Sequence, residues 1–270
     1  MKKTDVGAVL LMTCDKNMDV LQVMKNSMDK YWRTRVYPLY VATETRTIQW
    51  NNAKFILSDE AAWSNRLHSA LSEIPEEVIL LLLDDFIIEE NVDEERLASY
   101  MQCFQEDDSI AAISLAEQDE NLDNAPWLNA QHPEVRKRRR SKYMLSLQAG
   151  IWNKNKLMTL LRDAESPWEC ELYGSIRALK HTDWKFYSVN KAENSPLIYN
   201  RGFLVVQGAW LMSEVRRLNE KCGLSINVNG RKVFADKAEV SKARKRKFWH
   251  RIKRKVSLLL YSLHCELETK

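Results

Sequence analysis

The sequence predicts an α/β fold with a mostly parallel central sheet flanked by helices. Three observations carry that prediction. Val78–Leu83 is an unbroken run of six apolar residues, too short to cross a membrane and suited to a strand buried on both faces. The run stops on two carboxylates, Asp84 and Asp85, followed by Phe86. On either side of it, short apolar runs alternate with segments of helical spacing, the pattern of βαβ units.

Taken in order, residues 6–13 predict a first strand and 19–32 an amphipathic helix. Residues 37–43 and 54–57 predict two further strands. In residues 61–74, Trp63, Leu67, Ala70, Leu71 and Ile74 fall near helical spacing. The buried strand to Leu83 follows. Leu97, Tyr100, Met101 and Phe104 then recur at i, i+3, i+4 and i+7, which marks another helix. Residues 110–115 read as a strand. Residues 117–142 are polar, hold two Pro and carry Arg136-Lys137-Arg138-Arg139-Arg140. They read as a long basic loop, and loops of that length are usually functional or mobile. Order returns with a strand over 144–151, a helix over 154–162 and a helix opened by Ser166-Pro167-Trp168-Glu169. Residues 185–189 and 203–206 predict short strands. Asn229-Gly230 at the centre of 226–234 is a hairpin signal. The last thirty residues read as helical. The expected division is a main α/β domain over 1–235 and a basic amphipathic C-terminal helix over 236–270.

Composition excludes several classes. At 270 residues with 45% hydrophobic and 29% charged residues, the chain has the make-up of a soluble globular protein. Only seven Gly are present, and neither G-x-G-x-x-G nor G-x-x-x-x-G-K-[ST] occurs, which argues against glycine-rich phosphate loops. The five cysteines are scattered without C-x-x-C, which fits reduced thiols in the cytoplasm better than a disulfide frame or a zinc site. Lys2-Lys3, an apolar stretch and Thr13-Cys14 loosely imitate a lipoprotein signal, but Asp5 interrupts it and a first strand is the better reading. The five His form no H-x-x-x-H pair and receive no role. The net charge of +4 is uneven, with nine Lys and Arg and no acid in residues 242–255. The body without them is mildly acidic.

Several residues suggest chemistry. In open α/β sheets, ligands bind just outside the carboxyl ends of strands. Asp84 and Asp85 stand at such an end, and adjacent carboxylates repel unless a cation or donors offset them. Mg²⁺ or Mn²⁺ with the phosphates it carries would do so; a polar loop after a strand is the plainer alternative. Asp15, just after the first strand, and Arg66, early in the next-but-one helix, are placed to reach a nucleotide; Asp15 reads equally as a turn residue. Arg138 and Arg139, within the basic run, offer forks of donors to a diphosphate, or simply form a solvated loop. Ser166 to Glu169 has the make-up of a capping box with Pro at the first helical position. Glu169 is equally a candidate general base for an acceptor hydroxyl. Trp168 offers a flat apolar surface for a sugar ring, and Glu171 lies two residues on. The tail beginning at Lys242 and ending at Leu263 has basic residues in its first half and apolar ones in its second. It suits an anionic membrane surface, and the acidic body favours that over nucleic acid.

Together these residues resemble the GT-A fold, nucleotide-sugar-dependent glycosyltransferases. The closer resemblance is to bacterial glycosyltransferase-like proteins of surface-polysaccharide (capsule and lipopolysaccharide) loci. It rests on Thr13-Cys14-Asp15-Lys16 with Lys30-Tyr31-Trp32, Trp63-Ser64-Asn65-Arg66-Leu67, Leu83-Asp84-Asp85-Phe86, the stretch from Ser146 through Gln148-Ala149-Gly150 to Lys154, and Ser166-Pro167-Trp168-Glu169. These segments span about residues 6–210. The resemblance implies a GT-A-like (Rossmann-like) sheet and a nucleotide-diphosphate sugar donor with Asp84 and Asp85 at Mn²⁺ or Mg²⁺. It further implies an inverting mechanism with Glu169 as base, and a glycan or lipid-linked acceptor approached by Trp168 and Glu171. The enzyme would be cytoplasmic and peripheral on the inner face of the cell membrane. Phe86 departs from the family's Asp-x-Asp, so either Asp85 or the arginine run would take over the part of the second carboxylate. The rivals are a sugar-phosphate nucleotidyltransferase, which usually has a glycine-rich N-terminal loop, and a non-catalytic protein bound to membrane or nucleic acid.

Overall fold

The structure, a computed structural model, describes residues 7–117, 127–138, 143–201 and 203–245, the last four without their side chains. The chain divides into two compact units, Met1–Gly202 and Phe203–Lys270. Most of the tail from Lys242 to Leu263 lies outside the described residues, as does Arg139. Among the described residues, no helix is long and apolar enough to cross a membrane.

The first unit is a mixed α/β domain around one eight-stranded sheet. Its elements are β1 (Gly7–Met12), α1 (Met18–Tyr31), β2 (Leu39–Thr43), β3 (Ala53–Leu57), α2 (Trp63–Glu73), β4 (Val78–Leu83), α3 (Glu94–Glu106), β5 (Ile110–Ser114), β6 (Val135–Lys137), β7 (Gly150–Asn153), α4 (Lys154–Leu160), α5 (Pro167–Lys180) and β8 (Lys185–Val189). The strand order is β3-β2-β1-β4-β7-β5-β8-β6. β3, β2, β1 and β4 pair in parallel. β7 is antiparallel to both β4 and β5, β8 is parallel to β5, and β6 is antiparallel to β8. Six strands therefore share one direction and two oppose it.

β4 is apolar throughout because both faces are covered, as a central strand in such a sheet requires. On one face Ile79 and Leu81 join Ala8, Leu10, Met12, Tyr40 and Ala42 in a core closed by Leu67, Ala70 and Leu71 of α2, Leu157 and Leu160 of α4, and Cys170 and Ala178 of α5. On the other, Val9, Leu11, Leu80 and Leu82 are equally buried. α3 lies over that side; a Cβ on Gly7 would stand 2.7 Å from the Met101 sulfur and 3.0 Å from the Val78 carbonyl oxygen, so a larger residue there would require Met101 to shift. Each buried Leu or Ile contributes about 1.5–3 kcal/mol.

Helix ends follow from local chemistry. Asp93 caps α3 by accepting the Arg96 N–H, and Asn153 caps α4 through the Lys156 N–H. α5 opens on the capping box expected from Ser166 and Glu169, with both reciprocal bonds present and Pro167 in the first turn. α2 has no such cap. Instead Ser64 and Asn65 fasten it to the chain just before α5. The Ser64 N–H donates to the Glu165 carbonyl (3.2 Å), the Glu165 N–H to Ser64 Oγ (3.0 Å) and the Ala164 N–H to Asn65 Oδ1 (2.9 Å). Behind this junction Arg177 is buried against Glu165 in a two-pronged pair, 2.8 and 2.7 Å, while its Nε donates to the Leu160 carbonyl at 2.8 Å. One guanidinium thus joins α5, the end of α4 and the turn that holds α2.

Three expectations are corrected. The stretch over 117–142 is not all loop: β6 is the sheet's outermost strand, and Trp127 bridges back to Arg136. The strand expected over 144–151 begins only at Gly150, because the Leu145 and Leu147 N–H groups donate to the Ser175 and Glu171 side chains of α5, and the Ala149 N–H to the Tyr199 hydroxyl, rather than to a strand. Asn229-Gly230 forms a turn, with Gly230 at φ 85°, but no hairpin. In the second unit β9 (Val205–Val206) pairs antiparallel with β10 (Ala209–Leu211), and β11 (Val233–Phe234) pairs in parallel with β10. The arm before the turn is held by Asn219 instead, whose side chain accepts the Ile226 N–H at 2.9 Å. α6 (Met212–Cys222) and α7 (Lys237–Lys245) complete that unit.

The buried pair makes a stability prediction. Removing one partner leaves an uncompensated charge, so Arg177→Ala should cost about 3–5 kcal/mol in urea unfolding. Replacing both, as Arg177→Met with Glu165→Leu, should recover most of that loss. A single mutant as stable as the parent would show that the pair does not hold the junction.

Candidate functional site

The six like-directed strands deliver their carboxyl ends to one rim, and the sequence places acids there. β1 and β4 pair residue for residue from Gly7 with Val78 to Met12 with Leu83. The next pair in that register is Thr13 beside Asp84. The Asp84 N–H donates to the Met12 carbonyl (3.2 Å), and Thr13 Oγ1 donates to Asp84 Oδ2 at 2.5 Å. The chain then turns sharply, with the Phe86 N–H donating to the Leu83 carbonyl at 3.1 Å. Asp84 and Asp85 are the two central residues of that turn. Asp84 is buried and Asp85 half-buried. Burial first, and the neighbouring Asp84 charge second, raise the Asp85 carboxyl from the ordinary carboxylate range to about 7.

Phe86 does not face this rim as a substitute ligand. It is 2% exposed and packs on the Tyr199 ring, 4.9 Å between centroids. The Tyr199 hydroxyl donates to Gln148 Oε1 at 2.9 Å and accepts the Ala149 N–H at 3.3 Å. Burial raises its pKa above the ordinary tyrosine value; the Arg201 charge opposes that rise and the Asp85 charge adds to it. The turn after β4 therefore rests on a wall built from residues 148–149 and 199–201.

On the other side of Asp84, Arg66 is buried at the start of α2. Its Nη1 donates to the Glu60 and Ala61 carbonyls (3.0 and 3.3 Å) and lies 3.2 Å from Glu44 Oε1, while Nε has no partner. Glu44 follows β2 and also accepts the Asp15 N–H at 2.9 Å. Cys14 sits among these groups. Burial first, and then the Asp84 charge, raise its thiol pKa, with Glu44 adding and Arg66 opposing. Asp15 is brought to the rim, but its carboxylate is engaged by the loop after β2. It accepts from Thr43 Oγ1 (3.3 Å), the Thr45 N–H (3.0 Å), Thr45 Oγ1 (2.5 Å) and the Arg46 N–H (2.9 Å). Those donors, the Thr45 hydroxyl foremost, lower its pKa to about 2.

The remaining candidates fall in three places. Arg138 is buried, and its guanidinium donates to the Met144 and Tyr143 carbonyls at 3.0 and 2.5 Å, which closes the base of the basic loop. Desolvation lowers its pKa to about 10. Glu169 Oε2 accepts the Ser166 N–H (3.0 Å) and the Ser166 hydroxyl (2.6 Å), as a cap does. Trp168 beside it is 63% exposed, the largest exposure among the bulky apolar side chains described. Glu171 accepts the Leu147 N–H at 2.8 Å and so supports the segment that carries Gln148. The start of α5 is docked on α2 through Ser64 and Asn65, next to Arg66 in sequence.

Thr13, Glu44, Gln148, Tyr199, Arg201 and Glu117 belong to this rim and were not among the candidate site residues, although Thr13 and Gln148 lie in segments that carry the resemblance. Only Glu44, an acid directly after a predicted strand, carried a local signal. Among the described residues, no group of three His, Cys, Asp or Glu side chains converges as a metal site. Two carboxylates alone still suit Mg²⁺ or Mn²⁺, which commonly take one or two carboxylates and complete their shell with phosphates and water. Two polar depressions, about 390 Å³ beside Trp50 and about 370 Å³ beside His132, contain none of the rim residues named above.

A raised Asp85 pKa has a signed consequence. Between about pH 4 and 7 the folded protein holds a proton that the unfolded chain has released, so stability falls as pH rises through that window. Asp85→Asn should therefore be more stable than the parent at pH 8, by at least ~1 kcal/mol, and match it below pH 4. Denaturant titrations at pH 4 and pH 8 check this; equal stabilities at both would show that Asp85 ionises without penalty.

No protein family and no curated protein sequence matches this chain. Solved structures do. S. aureus TarS 1–349 is 16% identical with a TM-score of 0.44, over 70% of this chain and 61% of that one. The same protein in complex with UDP-GlcNAc gives 14% identity and 0.44, over 83% and 67%. A UDP-glucose pyrophosphorylase complexed with UDP-glucose gives 9% identity and 0.40, over 70% and 95%. This chain thus spans about three fifths of the TarS 1–349 structure.

Proposed function

We propose that this chain is a GT-A-like glycosyltransferase that moves a sugar from a nucleoside-diphosphate donor to a glycan or lipid-linked acceptor of a bacterial surface polysaccharide. The observation that carries the reading is the acidic turn. Asp84 and Asp85 are held together at the carboxyl end of the central strand, where open α/β sheets bind ligands, and two adjacent carboxylates there favour a cation or donors beside them. Arg66 and Glu44 extend the same rim towards the nucleoside side. A divalent cation at Asp84 and Asp85, when bound, would offset charge on the departing diphosphate.

In the transfer, an acceptor hydroxyl attacks the anomeric carbon, the bond from that carbon to the diphosphate oxygen breaks, and the nucleoside diphosphate leaves with the bonding pair. Glu169 is the proposed acceptor of the hydroxyl proton, with Trp168 giving the acceptor sugar an apolar face. Its second task as a helix cap does not conflict with this, because a carboxylate has several lone-pair sites. The rival reading, nucleotidyl transfer, would release pyrophosphate instead. It gains nothing from the segment after β1, Thr13 to Asn17, which has no glycine.

Glutamine also serves the capping box, so Glu169→Gln separates the two tasks. The variant should melt with the parent, bind donor equally well and lose about 10²-fold or more in turnover. Full turnover would leave Glu169 a cap alone. The donor reading is checked by thermal-shift titration with ADP, CDP, GDP, UDP and their sugars, with and without Mn²⁺. At 100 Kd a true ligand stabilises by about 2.7 kcal/mol; no response from the whole set would refute the reading.

A further inference from the structure

Arg201 stands beside the acidic turn for reasons the sequence does not announce. Residues 86–89 and 198–200 run antiparallel. Ile88 bridges Tyr199, the Glu89 N–H donates to the Ile198 carbonyl (2.9 Å) and the Asn200 N–H to the Ile87 carbonyl (3.1 Å). Asn200 is buried, and its Oδ1 accepts the Ile87 N–H at 2.9 Å. Carried one step further, that register sets Arg201 opposite Phe86, next to Asp85, at the roughly 5 Å spacing of neighbouring strands. There the ladder ends in a left-handed residue: Arg201 has φ 56°. A non-glycine residue in that region costs free energy and persists where its surroundings over-determine it, as at binding sites.

The guanidinium is not committed. Its side chain is 40% exposed, and Nη2 lies 3.4 Å from Glu117 Oε2, a longer contact than a well-formed charged hydrogen bond. Glu117 follows β5, whose carboxyl end lies on the same rim as those of β1 and β4. Arg138 has no such latitude, being buried on two carbonyls, and Arg66 is buried against Glu44.

We propose that Arg201 is the phosphate-binding arginine of this rim, and that it exchanges Glu117 for the distal phosphate of a nucleoside diphosphate. Glu117 is then a placeholder that keeps the guanidinium at the rim and competes with the ligand. A phosphate oxygen pair accepts both prongs of the fork and carries more charge than a half-exposed carboxylate, so the exchange favours the ligand. The inference rests on the nucleotide-donor reading.

Isothermal titration with UDP, CDP, GDP and ADP, and with the monophosphate of whichever binds best, tests it on the parent and four variants. Arg201→Ala should weaken the diphosphate about tenfold and the monophosphate by less than about twofold. Arg201→Lys should keep part of the affinity. Glu117→Gln should tighten the diphosphate about threefold, and that gain should vanish when combined with Arg201→Ala, since it acts through the arginine. Equal diphosphate affinity in the parent and both Arg201 variants overturns the proposal, and so does a Glu117→Gln gain that survives in the double variant. The opposite signs expected for the two positions exclude mere loss of fold as the cause. Should no diphosphate bind the parent, the donor reading itself falls; should one bind while Arg201 is indifferent, only this inference does.

Discussion

The register of β1 against β4 is the constraint on which the rest depends. Six consecutive pairs, Gly7 with Val78 to Met12 with Leu83, fix which residues leave the sheet together. Because side chains alternate, a slip of one position would exchange the two buried faces of β4 and part Thr13 from Asp84. The close approach at Gly7, the packing on both faces and the Thr13–Asp84 hydrogen bond all oppose that slip. What looks like a local acidic motif is therefore the end of a long-range alignment.

Around that alignment the chain settles its charges unevenly. Asp15 is surrounded by donors and Arg66 is paired with Glu44. Asp85 is left with burial and a like-charged neighbour. Among these acids the least compensated stands in the turn after β4, which is where a sequence-to-structure argument expects function to intrude. The neighbouring wall is built to stay still. Phe86 packs on Tyr199, Tyr199 bonds residues 148–149, and Glu171 on α5 holds Leu147. Gly174 lets α5 come close enough, since a Cβ there would meet Leu145 Cδ1 at 2.7 Å.

The sequence showed what depends on short range. The apolar run of β4, the helical spacing of α2 and α3, and the Ser166–Glu169 capping box are each carried by residues within a few positions of one another. It did not show what depends on partners far along the chain. Nothing in Gly150–Asn153 announces that it enters between β4 and β5 in the opposite direction. Val135–Lys137 is disguised by its own basic residues, which an outermost strand tolerates because one edge is unpaired. Asn229-Gly230 supplied the backbone of a hairpin turn, but its upstream arm had a stronger claim on it in Asn219. Of the rim, the acids at strand ends were legible, whereas Thr13, Tyr199 and Arg201 gain meaning only from register. Glu169 had two readings in the sequence and displays the helix cap, whereas Arg138, read as a phosphate donor or as part of a solvated loop, is buried as a tie across the base of that loop.

The insertion of β7 also bears on how the chain is made. β4 meets β1 as soon as it is synthesised, but its other neighbour begins only at Gly150, roughly 66 residues after Leu83. At a ribosomal rate of ~5–20 residues per second, that leaves the most apolar strand with an open edge for roughly 3–13 s. An uncovered strand of this kind is a template for wrong pairing. The price of a central strand that is wholly apolar is thus a hazard in the nascent chain, present before the acidic turn has any ligand to bind.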